Sequence, residues 1–544
     1  MVLENGACQP LSILNGHPSM LQGPRLLHEL VRPLAHDATA IDFLEHGSKR
    51  RKFSYKTLHL LSDILAGRIT EILAKLESAS PIIPVFLPQS PELYVVILAI
   101  LKAGKAFCPL NLDAPSKRLE FILDDISADL IVTSSSYYEH LRASTSIQVV
   151  CVDRELSDRG DRLTVNLPQP NTNDLAYVLY TSGSTGMPKA TFDVSIFEIF
   201  FPWLRGRTLV GCTREQMLDD LPKTINSLEV DAAELTPTVA SNLLHGRASV
   251  PGLKLLLTIG EMLTQHVIDE YGGIGTIDSI LWAMYGPTEA SIHCTLQPSF
   301  PASSSTATIG LPLETVSAFV IAPSAELQDP TCIEILPIGQ VGELAIGGPQ
   351  VAEEYLNRPD LTSASFVDHP YYGRLYRTGD RAKINEHGIL ECLGRVVAGQ
   401  VKLRGQRVEL GEIEKAIMKM ESCRTAVVMV LQDNLVAFCA VNCQEVSRAD
   451  VLATCKQWLP AFMIPSDVCL VEVMPQLPSG KTDKDALVKS YNRTTSSDNT
   501  PASTNTGDPQ SLAILDLISQ QASRSVTLDS NLALSGLDSL VPFA

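Results

Sequence analysis

The chain has 544 residues, of which 45% are hydrophobic and 19% are charged, a composition that supports a sizeable core and excludes a disordered, collagen-like or coiled-coil protein. At roughly 150 residues per domain, this length predicts about three to four domains. Because 43 Lys and Arg face 61 Asp and Glu, the net charge of −18 argues against non-specific binding to nucleic acid or to an anionic membrane, and any phosphate must be held by a local site.

The N-terminal residues lack the basic start and continuous apolar core of a signal peptide. The longest apolar run, Leu93 to Leu101, is too short to span a bilayer and is typical of a core helix. The 12 cysteines form no CxxC pair and have no partners at metal-binding spacing. These features predict a cytoplasmic protein with reduced thiols.

Strands and helices alternate in the N-terminal part of the chain. Apolar runs predict strands at Ile82–Leu87, Ala106–Leu110 and Leu130–Thr133, with helices at 91–103 and 117–126 between them. This alternation predicts βαβ units and a sheet with parallel strands. Leu175–Tyr180 is predicted as a further buried strand that leads directly into a Gly/Ser/Thr loop.

The pattern changes after Gln400. We predict strands at 401–404 and 407–410 around Gly405, a helix at 412–420, and a hairpin of strands 425–431 and 435–441 around Asp433-Asn434. This is the pattern of a small α+β domain. The Ser/Thr/Asn/Pro-rich stretch 493–509 predicts a flexible linker, and the apolar residues from 512 to 518 predict one amphipathic helix beyond it.

A Gly/Ser/Thr loop ending in lysine follows the predicted strand 175–180. It reads TSGSTGMPK over 181–189, and such loops bring backbone N–H groups, hydroxyls and a positive charge close to a phosphate. It is not a Walker A loop, because Lys189 is separated from Gly186 and no Ser or Thr follows it. On composition alone, a solvated Gly/Ser turn is an equal alternative.

Further motifs follow in a fixed order, and together they resemble the adenylate-forming superfamily, most closely the adenylation domains of nonribosomal peptide synthetases. The resemblance covers residues from about 25 to 490. The motifs are LKAGKAFCPL at 101–110, FDVSIFEIF at 192–200, YGPTE at 285–289, GELAIGG at 342–348, YRTGD at 376–380, QVKLRGQRVELGEIE at 400–414 and LPSGKTD at 477–483.

The resemblance implies an α/β fold of several parts. A large multi-layer AMP-binding (adenylation) domain with βαβ units would occupy 25–399, and a small α+β C-terminal AMP-binding domain would occupy 400–490. A linker at 491–509 would lead to a short helical stub of a phosphopantetheine carrier domain at 510–544.

The resemblance also assigns residues to ATP, Mg²⁺ and catalysis. Tyr285 would pack near the adenine, Thr288 would contact phosphate, and Glu289 would hold Mg²⁺. Asp380 would accept hydrogen bonds from the ribose hydroxyls, and Arg395 would contact the ribose. Lys481 would be the catalytic residue, reaching the substrate carboxylate and the α-phosphate, whereas its alternative is a solvated surface lysine. The phosphate loop would contribute Thr181, Ser182, Gly183, Ser184, Thr185, Gly186 and Lys189.

A second set of residues would bind an amino-acid substrate. Asp193 matches the carboxylate that pairs with the α-amino group, although a helix-capping Asp is the alternative. Glu234 and His293 are the other polar members, and they would either recognise a donor on the substrate side chain or pair with each other. The apolar members, each also compatible with simple core packing, are Val194, Phe197, Leu257, Ile259, Met284 and Ile292. Lys481 is the last position that the resemblance assigns to this pocket.

Transfer of the activated group to a thiol is the second step that the resemblance implies. The small domain would rotate so that Gly405 lines a pantetheine tunnel, but the expected hinge carboxylate is absent from the segment 394–400. Ser539, in the sequence LSGLDSL at 534–540, would carry 4′-phosphopantetheine, with a simple capping turn as the alternative. Expected partners are an amino acid, a pantetheinyl carrier and condensation domains of a larger synthetase, but neither nucleic acid nor a membrane.

One spacing departs from the pattern of the family. Related adenylation domains carry roughly 40 residues between the phosphate loop and the FDxS segment, a stretch with its own place in the layered core. Here Phe192-Asp193 follow Lys189 almost at once.

Three functions remain open: an amino-acid-activating adenylation domain, an acyl- or aryl-CoA ligase of the same superfamily, and a poorly active relic.

Overall fold

The structure is a computed structural model. It describes the chain in segments, namely residues 2–4, 7–20, 23, 25–31, 38–45, 49–76, 79–144, 147–157, 167–180, 193–274, 278–323, 333–396, 400–403, 406–431, 434–441, 446–471, 473–475 and 482–497.

The described residues form a mixed α/β architecture. The helices are α1 Tyr55–Leu73, α2 Pro91–Lys102, α3 Ser116–Asp125, α4 Ser135–Ser144, α5 Val152–Ser157, α6 Val194–Leu204, α7 Arg214–Asp219, α8 Leu221–Ser227, α9 Pro237–Leu243, α10 Gln265–Tyr271, α11 Pro359–Ser365, α12 Leu410–Ile417, α13 Arg448–Trp458 and α14 Lys484–Ser497.

The strands follow the same order. They are β1 Val2–Glu4, β2 Ala7–Gln9, β3 Ile13–Leu14, β4 Thr39–Leu44, β5 Arg50–Ser54, β6 Ile82–Phe86, β7 Ala106–Pro109, β8 Leu130–Thr133, β9 Gln148–Cys151, β10 Leu209–Cys212, β11 Ala232–Leu235, β12 Leu255–Thr258, β13 Leu281–Tyr285, β14 Thr295–Gln297, β15 Thr308–Pro312, β16 Ser317–Ile321, β17 Gly342–Gly347, β18 Phe366–His369, β19 Gly373–Ile384, β20 Leu390–Arg395, β21 Gln400–Leu403, β22 Gln406–Glu409, β23 Cys423–Leu431, β24 Asn434–Val441 and β25 Asp467–Val471.

The predicted βαβ units are present as a four-stranded parallel sheet in the order β7-β6-β8-β9. All five residues of β6 are buried, as expected for a strand covered on both faces. Helix α2 begins where Ser90 accepts a hydrogen bond from the backbone N–H of Leu93 and Pro91 occupies the first turn, a favourable start for a helix. The apolar runs of this region therefore predicted the strands and helices correctly, and their alternation predicted that the strands are parallel.

The predicted strand 175–180 is wrong as a continuous element. This segment makes a single parallel bridge between Tyr177 and Phe107, with the N–H of Phe107 donating to the carbonyl of Ala176 and the N–H of Val178 donating to that of Phe107. Leu175 is exposed. An apolar run therefore lies beside β7 here without forming a longer ladder.

A large mixed sheet supports most of the candidate site. Its order is β11-β12-β13-β14-β15-β20-β19-β17-β16-β3, and β18 pairs with β19. Strands β11, β12 and β13 are parallel, and the pairs from β13 to β20 are antiparallel. Because β3 pairs with β16, residues 13 and 14, which precede the predicted domain start at residue 25, are part of this sheet.

The C-terminal region has its own core. The hairpin β21–β22 precedes α12, and β23, β24 and β25 form a three-stranded sheet. The predicted hairpin of β23 and β24 is present, although the helix begins at Leu410 rather than Glu412. Helix α14 continues to Ser497, so residues 493–497 of the predicted linker are helical.

One buried contact joins the two regions. Arg118 on α3 lies 3.6 Å from Glu412 on α12, and each side chain is 1% exposed. Beside this pair, the ammonium groups of Lys117 and Lys419 lie 4.5 and 3.8 Å from the ring centre of Trp458. Helix α3 therefore packs against the C-terminal region through a buried ion pair and a cation–π contact.

None of the helices in the described residues is both long enough and apolar enough to cross a bilayer.

Candidate nucleotide and substrate site

The site is built on a tight return between β13 and β14. A side-chain carbon at Gly286 would lie 1.9 Å from the carbonyl oxygen of Ile292, so only glycine fits there. Ser291 and Ile292 have left-handed φ angles of 53° and 78°, a strained backbone for a β-branched residue and one often found at functional sites. The motif YGPTE thus folds into a loop that presents Tyr285, Thr288 and Glu289 together.

Asp380 is the centre of a buried polar group at one end of the site. The Tyr285 hydroxyl donates to Asp380 Oδ2 at 2.6 Å, and Arg395 donates from Nη1 to Asp380 Oδ1 at 2.8 Å. Burial and the charge of Asp380 hold the pKa of Tyr285 well above its usual range, so its hydroxyl keeps its proton. Since a carboxylate has about four acceptor positions, Asp380 can still accept further hydrogen bonds from a ligand.

Glu343, from the motif GELAIGG, fixes the backbone that carries Asp380. Arg377 donates to Glu343 Oε2 from Nε at 3.1 Å and from Nη2 at 2.6 Å, and the N–H of Gly379 donates to Oε1 at 3.0 Å. Gly379 has a φ of +69°, which favours glycine. Glu343 and Arg377 therefore position Asp380, a role that the motif alone did not reveal.

Glu289 lies beside this group and is 5% exposed. Tyr355 donates from its hydroxyl to Glu289 Oε1 at 2.8 Å, and Thr288 hydrogen-bonds Asp193 through its side chain. The loop 285–289 thus connects the predicted nucleotide residues to the predicted substrate residues. The described residues contain no group of three or more His, Cys, Asp or Glu that could hold a metal ion.

Asp193 precedes α6 but does not cap it. Its side chain makes no capping hydrogen bond, so the helix-cap interpretation is wrong. It is 6% exposed, and its Oδ2 atom has no hydrogen-bond partner among the described residues. Burial raises the pKa of Asp193 to about 6. The hydrogen bond from Thr288 lowers this pKa, and the charge of Glu289 raises it.

Glu234 and His293 pair with each other at 2.8 Å. The ring of Phe197 meets the ring of His293 edge to face at 4.6 Å, and Glu234 is in register with Leu257 on the neighbouring strand. The same face takes in residues two positions along each strand, Ile259 and Met284, while Val194 and Ile292 are buried nearby in one core cluster. The described residues that were predicted to bind substrate thus converge at the ends of β11, β12 and β13 and on α6.

Sequence reasoning missed two residues here. Gln350 donates from its amide to the carbonyls of Ala290 at 2.7 Å and His293 at 2.9 Å, which holds the strained loop, and its place just after GELAIGG was the available signal. Glu198 follows Phe197 on α6. Burial, and then the charge of Glu234, raise its pKa to about 8.

The remaining predicted residues lie outside the described residues. They are Thr181, Ser182, Gly183, Ser184, Thr185, Gly186, Lys189, Gly405, Lys481 and Ser539.

The sequence matches the family described as AMP-binding enzyme in two pieces, residues 33–191 and 190–356. It is 64% identical to Nonribosomal peptide synthetase 2 of Cochliobolus heterostrophus over 572 positions, which cover 99% of this chain and 11% of that protein. It is 33% identical to the hydroxamate-type ferrichrome siderophore peptide synthetase of Schizosaccharomyces pombe, covering 80% of this chain and 9% of that protein. The chain thus spans about a tenth of the length of these relatives.

The fold is similar to that of a solved nonribosomal peptide synthetase protein with adenylation and PCP domains, bound to a vinylsulfonamide inhibitor. The TM-score is 0.71 at 22% identity, covering 91% of this chain and 86% of the other. At this identity, the similarity establishes the fold and no more.

Proposed function

This chain belongs to the AMP-binding enzyme family, and from that premise we propose that it activates an amino acid as aminoacyl-AMP. ATP would be the second substrate, and pyrophosphate would leave. The observation that carries this proposal is the loop 285–289, which contacts two buried carboxylates. Tyr285 hydrogen-bonds Asp380 at one end, and Thr288 hydrogen-bonds Asp193 at the other, where Asp193 Oδ2 has no partner among the described residues.

Adenylate formation brings two anions together, a carboxylate and the α-phosphate, so the protein must orient them and offset their charge. Tyr285, Asp380 and Arg395 would fix the adenosine, with Asp380 accepting from the ribose hydroxyls. Mg²⁺, held by Glu289 together with phosphate oxygens, would supply positive charge beside the phosphates. Lys481 and the loop 181–189 would supply the remaining positive charge.

Asp193 would bind the α-amino group of the substrate. Its position supports this role because a buried carboxylate that neither caps its helix nor fills its hydrogen bonds is costly without a cationic partner. An ammonium group would lower the pKa of Asp193 and keep the carboxylate ionised. A fatty or aryl acid has no such group to offer.

The aminoacyl group would then pass to 4′-phosphopantetheine on a carrier domain, with Gly405 along the tunnel and Ser539 as the attachment site in a complete carrier. The solved relative with adenylation and PCP domains supports a carrier as partner, and condensation domains of a larger synthetase would use the product. The name of the Schizosaccharomyces pombe relative supports a siderophore peptide as the final product.

A relic of such an enzyme is the second candidate. The family model matches in two pieces that meet at residues 190 and 191, and the 572-position alignment with the Cochliobolus protein exceeds the 544 residues of this chain. Both observations support a missing internal segment after Lys189. Insertion of the corresponding segment of that relative would raise soluble yield and activity if the gap is harmful, and would change neither if the gap is tolerated.

The test of the proposed function is ATP–pyrophosphate exchange screened across amino, aryl and fatty acids. We expect exchange with one or a few amino acids, and loss of it by about 10²–10³-fold in Lys481→Ala, because one charge at a developing oxyanion is worth that much. Exchange with aryl or fatty acids alone would favour a CoA ligase. No exchange with any acid, in the chain as it stands or with the segment restored, would favour the relic.

A further inference from the structure

Two tyrosines lie on the short segment 175–180, which leads directly into the loop 181–189. The segment makes a single parallel bridge to β7, at Tyr177, and alternate side chains of a chain paired in this way point to opposite faces. Tyr177 accordingly packs against the core that contains α1, α2 and α6, whereas Tyr180 packs against the core between α3 and the parallel sheet. The two hydroxyl groups therefore reach partners on opposite sides of the segment.

Tyr180 is held by the end of α3. Its hydroxyl donates to Asp125 Oδ2 at 2.7 Å. Burial, and then this hydrogen bond, raise the pKa of Tyr180 well above its usual range, so the hydroxyl keeps its proton and remains a donor. The amide of Asn357 donates to the carbonyl oxygen of Asp125 at 2.9 Å and to Oδ1 at 3.4 Å, which orients the carboxylate toward Tyr180.

Tyr177 is held by the strained return between β13 and β14. Its ring centre lies 5.9 Å from that of Phe107 on β7, and its hydroxyl hydrogen-bonds the side chain of Ser291. Ser291 has a left-handed φ of 53°, and its hydroxyl donates to the carbonyl oxygen of Gln350 at 2.8 Å. Tyr177 thus contacts the return just beyond the loop 285–289.

The contact of Tyr180 also leads back to the loop 285–289. Tyr355, two positions before Asn357, donates from its hydroxyl to Glu289 Oε1 at 2.8 Å. The N–H of Ala352 donates to the carbonyl oxygen of Glu289 at 2.9 Å. The segment 352–357 therefore connects Glu289 to Asp125, and through Asp125 to Tyr180.

We propose that Tyr177 and Tyr180 are positioning residues, which fix the start of the loop 181–189 relative to Thr288 and Glu289. The inference rests on the proposed function, because it takes this loop to bind the β- and γ-phosphates of ATP. Hydrogen bonds on both sides restrain the chain directly before Thr181, where a small displacement would move the loop away from the triphosphate. AMP lacks these two phosphates, so its binding does not depend on the same placement.

The experiment is calorimetric binding of ATP and of AMP to the full chain, in the presence of Mg²⁺ and without an amino acid. Tyr180→Phe should weaken ATP binding by about tenfold, because it removes a hydrogen bond to a charged group, and should leave AMP binding unchanged. Tyr177→Phe should weaken ATP binding by about threefold, because its partner is neutral. The control is Tyr137→Phe, the same change at a partly buried tyrosine of α4 that packs against the same core as Tyr180.

Variants of Asp125 identify the partner of Tyr180. Asp125→Asn keeps an acceptor and should retain most of the ATP affinity, whereas Asp125→Ala should lower it as much as Tyr180→Phe does. The double variant Tyr180→Phe/Asp125→Ala should bind ATP no more weakly than either single variant, because both changes remove the same hydrogen bond. Additive losses in the double variant, or equal losses of ATP and AMP affinity in Tyr180→Phe, would overturn the inference.

Failure of the proposed function gives a different result. If the wild-type chain binds ATP no more tightly than AMP, the role proposed for the loop 181–189 is wrong and the inference falls with it. If the wild type prefers ATP and both phenylalanine variants keep the full preference, the inference alone is wrong. Asp125 lines an open cavity of about 390 Å³, so its carboxylate remains hydrated in Tyr180→Phe, and thermal unfolding of this variant should match the wild type.

Discussion

Asp193 and Asp380 show how two carboxylates in one site acquire different chemistry from their surroundings. Asp380 accepts hydrogen bonds from Tyr285 and Arg395, so each of its two oxygens already has a donor. Among the described residues, Asp193 Oδ2 has no hydrogen-bond partner, and burial raises the pKa of Asp193 to about 6. The first residue is suited to hold neutral hydroxyls from a fixed position, and the second is suited to receive a cation.

At the same scale, Glu198 should make stability depend on pH. Its pKa is raised from 4.5 to about 8 by burial and by Glu234, and Tyr94 also lies close to it. In the unfolded chain the carboxyl loses its proton near pH 4.5, whereas the folded protein retains it until about pH 8. The contribution of protonated Glu198 to the free energy of unfolding is therefore fully present below about pH 4.5, and it is lost progressively as the pH rises to about 8.

Urea unfolding of Glu198→Gln at several pH values measures this effect. Relative to the wild type, the variant should gain stability as the pH rises through that window, by less than about 1 kcal/mol because Glu198 is accessible to solvent. Glu386→Gln, on the surface, should show no such trend. If the difference in free energy of unfolding between the wild type and Glu198→Gln is the same at every pH, the pKa assigned to Glu198 is wrong.

At the scale of elements, the antiparallel strands β17 and β19 hold Asp380 in place, at the end of the site where we propose that the nucleotide binds. Glu343 on β17 and Arg377 on β19 form a buried ion pair, and the same glutamate fixes the backbone next to Asp380. Removing one partner of such a pair leaves the other charge buried. The two strands are therefore sensitive to a single substitution.

We expect Glu343→Leu to lower the free energy of unfolding by about 3–5 kcal/mol and to weaken AMP binding through displacement of Asp380. The control is Glu391→Gln on the neighbouring strand β20, whose partner Lys383 is about one-third exposed and whose loss should cost no more than about 1 kcal/mol. Denaturant unfolding and AMP titration measure both quantities. Equal costs for the two variants would show that the Glu343–Arg377 pair has no special role.

The elements also show what could be predicted from sequence. Local signals were sufficient for α2 and the parallel strands, because an apolar run and the start at Ser90-Pro91 lie within a few residues. The sequence carries no local signal for the order of the antiparallel strands. The same is true of the hydrogen bond from Tyr285 to Asp380, because these residues are 95 positions apart. The site residues were assigned because the motifs resemble a family, whereas Gln350 and Glu198 lie outside those assignments and were not singled out.

At the scale of the whole molecule, Arg118 and Glu412 join α3 to the C-terminal region. Each side chain is 1% exposed, and this burial lowers the pKa of Arg118 to about 10 in spite of the charge of Glu412. Any rotation of the C-terminal region, as thioester transfer in this family implies, would have to separate these charges. The Arg118–Glu412 contact thus stabilises the present position of the C-terminal region against α3 relative to rotated positions.

A double-mutant cycle tests this contact. Arg118→Leu should destabilise the chain by about 3 kcal/mol, because the charge of Glu412 would remain buried, and the double variant Arg118→Leu/Glu412→Leu should recover most of that loss. Urea unfolding of the single and double variants gives the coupling energy. A coupling near zero would indicate that the two side chains do not interact in solution.

The most direct test of amino-acid activation compares each accepted amino acid with the same acid lacking its α-amino group. Exchange by the wild-type chain, or by the chain with the relative's segment inserted after Lys189, should favour the amino acid by about 10²-fold or more, because the role proposed for Asp193 is to bind the ammonium group. Asp193→Asn should reduce that preference by at least tenfold while ATP binding is unchanged. An unchanged preference in Asp193→Asn, or equal use of the two acids by the wild type, would contradict the assignment of this chain as an amino-acid-activating enzyme.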